Sequence, residues 1–361
     1  RWTALLLALA MLSALAVGVL ADEQSKEGPA AEETVQIAPD AEGTLRFENL
    51  SARMKTGYYT VMSLEENIAA IECIDYDKMY EDLRDGLNQI AEAQWMMLQI
   101  PGAGETYTYK SLQDQYDTLR KTFDDIKDGK LQQDNADLVR QLRDAENQLL
   151  MAGQTLYINL LGLEDQSAAL TRQAAALDRT IEEVKLRYEL GQVSAMTLQQ
   201  TEAGKAQAES GRAKLDAGIE QLRRQLNAMI GEELTAPLTL HALPEVTAEQ
   251  LSAMDVEKDL EKAKAVSYDL YAAKLTLDDA DEEYKDQARD LGYNEDNYEY
   301  IAVKHRWQAA QYTYNAAVQS FELSFRSLYD SVQSYASALN AARVSLECER
   351  SDLAAAQLKY E

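Results

Sequence analysis

Cysteine, proline, histidine and basic residues are all scarce in this chain of 361 residues. The two cysteines, Cys73 and Cys348, lie far apart with no C-x-x-C spacing, so neither a disulfide framework nor a zinc signature is present. The two histidines, His241 and His305, are also far apart, and the chain has no phosphate-binding loop or nucleophile elbow. With no catalytic constellation, no enzyme activity, cofactor or metal site is expected. The 35 Lys and Arg are outnumbered by 62 Asp and Glu, giving a formal charge of −27. Nucleic acid and anionic lipid would both be repelled, so neither is an expected partner. Acidic runs such as Asp124-Asp125, Asp278-Asp279 and Asp281-Glu282-Glu283 lie in helical context and read as solvated helix faces. Only five prolines occur, two of them bounding Pro237–Pro244, so little interrupts long helices.

The longest apolar run is at the start. Residues 1–21, from Arg1 through Ala4–Leu20 to Ala21, have the hydrophobic segment and small-residue end of a secretory signal, with Val19 and Ala21 flanking the expected cut. An uncleaved anchor is the other reading, but the run is short for one and lacks a basic far flank. The signal predicts an exported protein. Residues 22–45 are rich in Glu, Ala and Pro without an apolar period, and read as a flexible acidic leader.

From about Ser63 the apolar residues recur with helical period, which predicts an all-α fold. Leu142, Leu149, Leu156, Leu163, Leu170, Leu177 and Val184 follow one another at seven-residue steps. A second row at Leu160, Ser167, Ala174, Ile181 and Tyr188 completes the alternating spacing of a coiled-coil seam. A continuous helix from Val139 to Leu190 would span roughly 78 Å. At Leu190-Gly191-Gln192-Val193-Ser194 the ladder stops. Gly191 can take the positive φ that closes a helix, and Ser194 suits the N-cap of the next, about Ala195–Ile230. That helix returns along the first with Leu215, Ile219, Leu222, Leu226 and Met229 at seam spacing. Its Ala- and Gly-rich start predicts the tightest packing near the turn.

A second ladder, Phe321, Phe325, Leu328, Val332, Tyr335, Leu339, Ala342, Leu346, Leu353, Ala356 and Tyr360, superposes on the first at a shift of 172. Leu186-Arg187-Tyr188-Glu189 then matches Leu358-Lys359-Tyr360-Glu361. Ser63-Leu64-Glu65-Glu66 resembles Asp259-Leu260-Glu261-Lys262 at a shift of 196, which places about 24 extra residues in the first repeat, between Pro101 and Asp137. The expected organisation is a first helical repeat at 46–236, a linker at 237–258 and a second repeat at 259–361, each of long antiparallel coiled-coil hairpins. The second repeat is expected to lack its tip turn and returning helix.

The segment Leu186–Glu209, LRYELGQVSAMTLQQTEAGKAQAE, resembles the helical-hairpin tip of TolC-like outer-membrane factors, the exit ducts of tripartite efflux pumps and type I secretion systems. The resemblance covers roughly residues 60–361. It implies a homotrimer whose hairpins close a tapered α-barrel, a periplasmic-type adaptor (membrane fusion protein) docked at the tips, and an inner-membrane ABC or proton-driven transporter. It assigns Tyr188, Leu190, Gly191, Val193 and Ser194 to one docking tip and Tyr360 to the start of a second. A plain helix-capping turn would need only Gly191 and Ser194.

Two departures stand out. Thr197 occupies a position where many members carry an acidic gate residue. The windows Ile100–Tyr109 and Leu291–Val303, where the family inserts membrane-barrel hairpins, are each too short for two strands, so no transmembrane barrel is expected. The alternative function is an exported coiled-coil scaffold of the cell envelope, which shares the heptads and the signal.

Overall fold

The structure is a computed structural model that describes residues 40–360. The signal segment 1–21 and the leader as far as Pro39 lie outside the described residues. The described chain is all-α apart from two very short strands. Its elements are β1 (Thr44–Leu45), α1 (Phe47–Gly57), α2 (Tyr59–Glu72), α3 (Tyr76–Leu98), a 3-10 turn (Ala103–Glu105), α4 (Tyr107–Lys127) and α5 (Lys130–Glu189). Then follow α6 (Ala195–Met229), β2 (Thr239–Leu240), α7 (Ala248–Ser252), α8 (Val256–Val266), α9 (Tyr268–Asp290) and α10 (Tyr298–Tyr360).

α5 runs for 60 residues because nothing stops it: it contains no proline, and Gly129 at φ +74° and Gly191 at φ +69° bound it. The seam residues pack as the heptads require. Leu160, Ala174 and Ile181 of α5 are buried, as are Ile219, Leu226 and Met229 of α6, while the seven-residue row from Leu142 to Val184 is half-buried. Polar pairs stitch the two helices at their margins. Glu164 meets Arg223 at 2.8 Å, Ser167 donates to Asp216 at 2.6 Å, and Asp178 pairs with Lys205. These rim pairs are exposed or half-buried, so each adds at most about 1 kcal/mol and mainly fixes register.

The densest packing lies at the end of this pair away from the turn. Leu45, Leu50, Met54, Tyr157, Leu160, Leu226, Met229, Ile230 and Leu238 form one buried cluster there. β1 and β2 close it as a parallel two-residue ladder, with Thr44 opposite Thr239 and Leu45 opposite Leu240. Tyr157 is fully buried, and its hydroxyl lies 3.0 Å from the Leu45 carbonyl and 2.6 Å from the His241 carbonyl, sharing its single proton between them. α1 crosses the cluster on glycines. A Cβ at Gly57 would collide with the Ile230 carbonyl, and one at Gly231 would come within 2.7 Å of the Gly57 Cα.

This packing moves several boundaries. The leader drawn to residue 45 ends by Asp40, whose carboxylate accepts from the Asn49 side chain at 2.8 Å and from the Arg46 N–H at 3.3 Å. The segment assigned as a linker contains β2 and the buried Leu238, so the chain is tied back to β1 there. A repeat boundary at 259 falls inside α8. The tightest glycine contacts are at Gly57, Gly153 and Gly231, not beside the turn, where a Cβ at Gly204 would meet nothing within 4 Å.

The matching of the two halves shifts as well. Ser63–Glu66 lies inside α2 whereas Asp259–Lys262 lies inside α8, so these segments do not hold corresponding places. Each of α1 and α8 has 11 residues and stops at one extended residue, Tyr58 or Ser267, before the next helix begins. Each of these helices also buries a leucine, Leu50 eight residues before its break and Leu260 seven. A short Leu-Glu string recurs on any exposed helix and was too weak an anchor. From the break to the following turn, residues 59–98 stand in the first half where 268–290 stand in the second, so that limb is longer by seventeen residues. The extra length forms the α3–α4 pair, set off by breaks at Asp75 and Gly129 and stapled by the stacked rings of Tyr80 and Phe123 at 4.5 Å.

Candidate docking tip

The turn between α5 and α6 is built by two local devices. At the end of α5 the Gly191 N–H donates to the Tyr188 carbonyl at 2.9 Å and the Gln192 N–H to the Arg187 carbonyl at 2.8 Å. That pair of bonds is a Schellman cap, and it requires the left-handed φ of Gly191. At the start of α6 the Ser194 Oγ accepts from the Thr197 N–H at 3.2 Å, the side-chain cap its sequence position predicts. Both ends satisfy backbone groups that would otherwise be orphaned, so the loop of five residues is held without help from any other element.

What the turn presents is apolar. Leu190 is 63% exposed and Tyr188 is 44% exposed, while Val193 is half-buried. Two further apolar side chains, Leu186 and Met196, are more than half exposed and flank the turn. They were missed in sequence because neither sits on the seam rows, and that off-seam placement is itself the available signal. Around them lie ion pairs on the helix faces, Arg187 with Glu183 at 2.5 Å and Lys185 with Glu202 at 3.6 Å. Farther down, the carboxylate of Asp178 holds the half-buried Lys205 ammonium above its ordinary pKa, chiefly by hydrogen bonding.

Thr197, the position expected to lack an acidic gate, has a structural part instead. Its Oγ1 lies 3.0 Å from the Ser194 Oγ, so it joins the cap. Tyr188, Leu190, Gly191, Val193 and Ser194 are therefore brought together in one exposed turn. Tyr360, assigned to a second tip, lies far along the chain from this turn. It ends α10, and every residue from Ser337 to Lys359 of that helix is exposed.

The windows considered for membrane strands hold a 3-10 turn running into α4 at Ala103–Tyr109 and a glycine-capped turn running into α10 at Leu291–Val303. No helix among the described residues is long and apolar enough to cross a membrane. No cluster of metal-ligating side chains occurs among the described residues. The acidic runs carry ion pairs, Asp278 with Lys274 at 2.6 Å and Asp281 with Lys285 at 2.5 Å. A shallow cleft where α5 meets the α8–α9 break is lined by Arg140, Arg143, Tyr268 and Tyr271. Its polar groups are already engaged, with Arg140 over the Tyr271 ring, Tyr271 bonded to Asp137, and Arg143 paired with Glu72.

No protein-family model matches the chain, and no curated protein and no solved structure matches it either.

Proposed function

We propose that this chain is a TolC-like efflux component, a passive helical duct that docks an adaptor through the turn at Leu190–Ser194. The observation that carries the reading is that turn: a doubly capped, self-supporting tip on a long helix pair, with Tyr188, Leu190 and Val193 held in fixed positions around Gly191. A tip that must be gripped repeatedly by a partner benefits from being organised beforehand, because less entropy is lost on binding. The α5–α6 pair is then one antiparallel coiled-coil hairpin, and α9–α10 with its ladder belongs to its duplicate.

In this reading three copies close an α-barrel. Support comes from α10, where Leu328, Tyr335, Leu339, Leu346 and Leu353 are all exposed along one ladder. A heptad row of that length costs free energy in water and is suited to another helix. The mechanism is physical and involves no bond making: the barrel supplies a path, while an adaptor and an inner-membrane ABC or proton-driven transporter supply direction. The protein is exported to the cell envelope and is not an enzyme.

The tip assignment is tested by capture of the cognate adaptor with intact protein and with two variants. Gly191→Pro removes a cap bond and is incompatible with φ +69°. Ser194→Trp removes the N-cap and adds bulk to the tip. Adaptor capture is expected to fall for both while the remaining helix content persists, and undiminished capture by both would overturn the docking role.

A further inference from the structure

We propose that the free end of the α3–α4 helix pair inserts shallowly into the interface of a zwitterionic lipid surface. Trp95, Met96 and Leu98 at the end of α3, Ile100 in the turn and Tyr107 at the start of α4 are all more than half exposed, with Tyr107 reaching 87%. On a helix of 3.6 residues per turn, Trp95, Met96 and Leu98 fan over an arc of roughly 160°, and Ile100 and Tyr107 continue the apolar surface around the turn. A protein partner would cover one side of such an end. A lipid interface surrounds it, so apolar groups pointing several ways are all covered at once.

Charge favours the same partner. Between Glu92 and Lys110 the only charged residue is Glu105, in a chain whose residues are 27% charged. The corresponding end of the α9–α10 pair carries Asp290, Glu295, Asp296 and Glu299 in the same kind of turn. A chain of net charge −27 is repelled by anionic headgroups, whereas a nearly neutral end meets a zwitterionic surface without that cost. Trp and Tyr are the side chains that favour the headgroup level, with an apolar ring and a polar edge. Trp95 precedes the end of α3 by only three residues, about 5 Å of helix rise, which fits an insertion of roughly 5–10 Å.

The end is also built rather than loose. The Thr106 hydroxyl donates to the Ala103 carbonyl at 2.6 Å, and the Tyr109 N–H donates back to Thr106 Oγ1 at 3.3 Å. Ala103 is buried beneath the turn, and Gln94 donates across the pair to Gln113 at 3.1 Å. The apolar groups are thus displayed on a fixed support.

The test uses the intact chain with Cys73→Ser and Cys348→Ser, carrying one polarity-sensitive fluorophore through Leu98→Cys or, as the comparison, through Asp296→Cys. Reading the label locally separates this end from the apolar segment at residues 4–20, which can itself hold the protein on vesicles. With phosphatidylcholine vesicles, the position-98 label is expected to shift to the blue and to be quenched by lipids brominated on their tails. The position-296 label is expected to stay in water. A position-98 label that remains in water, whether or not the protein is vesicle-bound, would overturn the proposal. So would a blue shift that rises with protein concentration in the absence of lipid, because a second copy would then be the occupant. The proposal does not rest on the duct reading, and adaptor capture leaves it untouched.

Discussion

Tyr157 joins three parts of the chain through one hydroxyl, and its partners Leu45 and His241 lie 112 and 84 residues away. Replacing it with Phe takes the hydroxyl from both carbonyls, of which that of Leu45 still accepts from the His241 N–H at 3.0 Å, an expected loss of about 0.5–1.5 kcal/mol in urea denaturation. Burial pushes the Tyr157 phenol up to about 12, so the folded state holds this proton more tightly than the unfolded chain, whose phenol titrates near 10. The stability linked to it is intact below the unfolded value and is lost as the pH rises towards the folded one. The urea midpoint should therefore fall more steeply between those values for the native protein than for Tyr157→Phe, and parallel curves would count against the assignment.

Two glycines separate steric from conformational need. Gly57→Ala drives a methyl into the Ile230 carbonyl and should cost about 1–3 kcal/mol. Gly191→Ala meets open space and strains only φ, at about 1–2 kcal/mol. Gly191 and Ser194 were legible in the sequence because their work is done within a few residues. Tyr157 and Gly57 were not, since their partners are distant and nothing local marks them.

Among the elements, the α5–α6 pair was the most legible. The Gly191 and Ser194 signals bounded its two helices, and the helix expected at Ala195–Ile230 was found at Ala195–Met229. The start of α5 was missed by nine residues, because Gly129 closes α4 and opens α5 with little change in apolar period. β1 and β2 were not legible, since two residues cannot display an alternation. The extra length of the first half was recognised but placed on one side of its turn. In the structure the limb before the turn, residues 59–98, is already seventeen residues longer than residues 268–290.

The two long helices are covered very differently, and amide hydrogen exchange should report it. In the isolated chain, amides of Ser337–Lys359 are expected to exchange much faster than those of Leu150–Ile181, where the seam is packed. Equal protection in the two segments would mean that the α10 ladder is already covered.

For the whole molecule, a net charge of −27 and an exposed apolar ladder pull in opposite directions. The charge keeps copies apart at long range, and salt screens it within about 8–10 Å. The ladder rewards contact only when helices align over many turns. Association should therefore strengthen as ionic strength rises, and a Leu339→Glu, Leu346→Glu variant should dissociate at protein concentrations where the native chain stays assembled. A shared stoichiometry in both proteins would separate oligomerisation from this face.

The most direct measurement of the duct reading is sedimentation equilibrium of the intact protein over a wide concentration range. The expected result is a trimer that persists on dilution, and a strictly monomeric species throughout that range would contradict it.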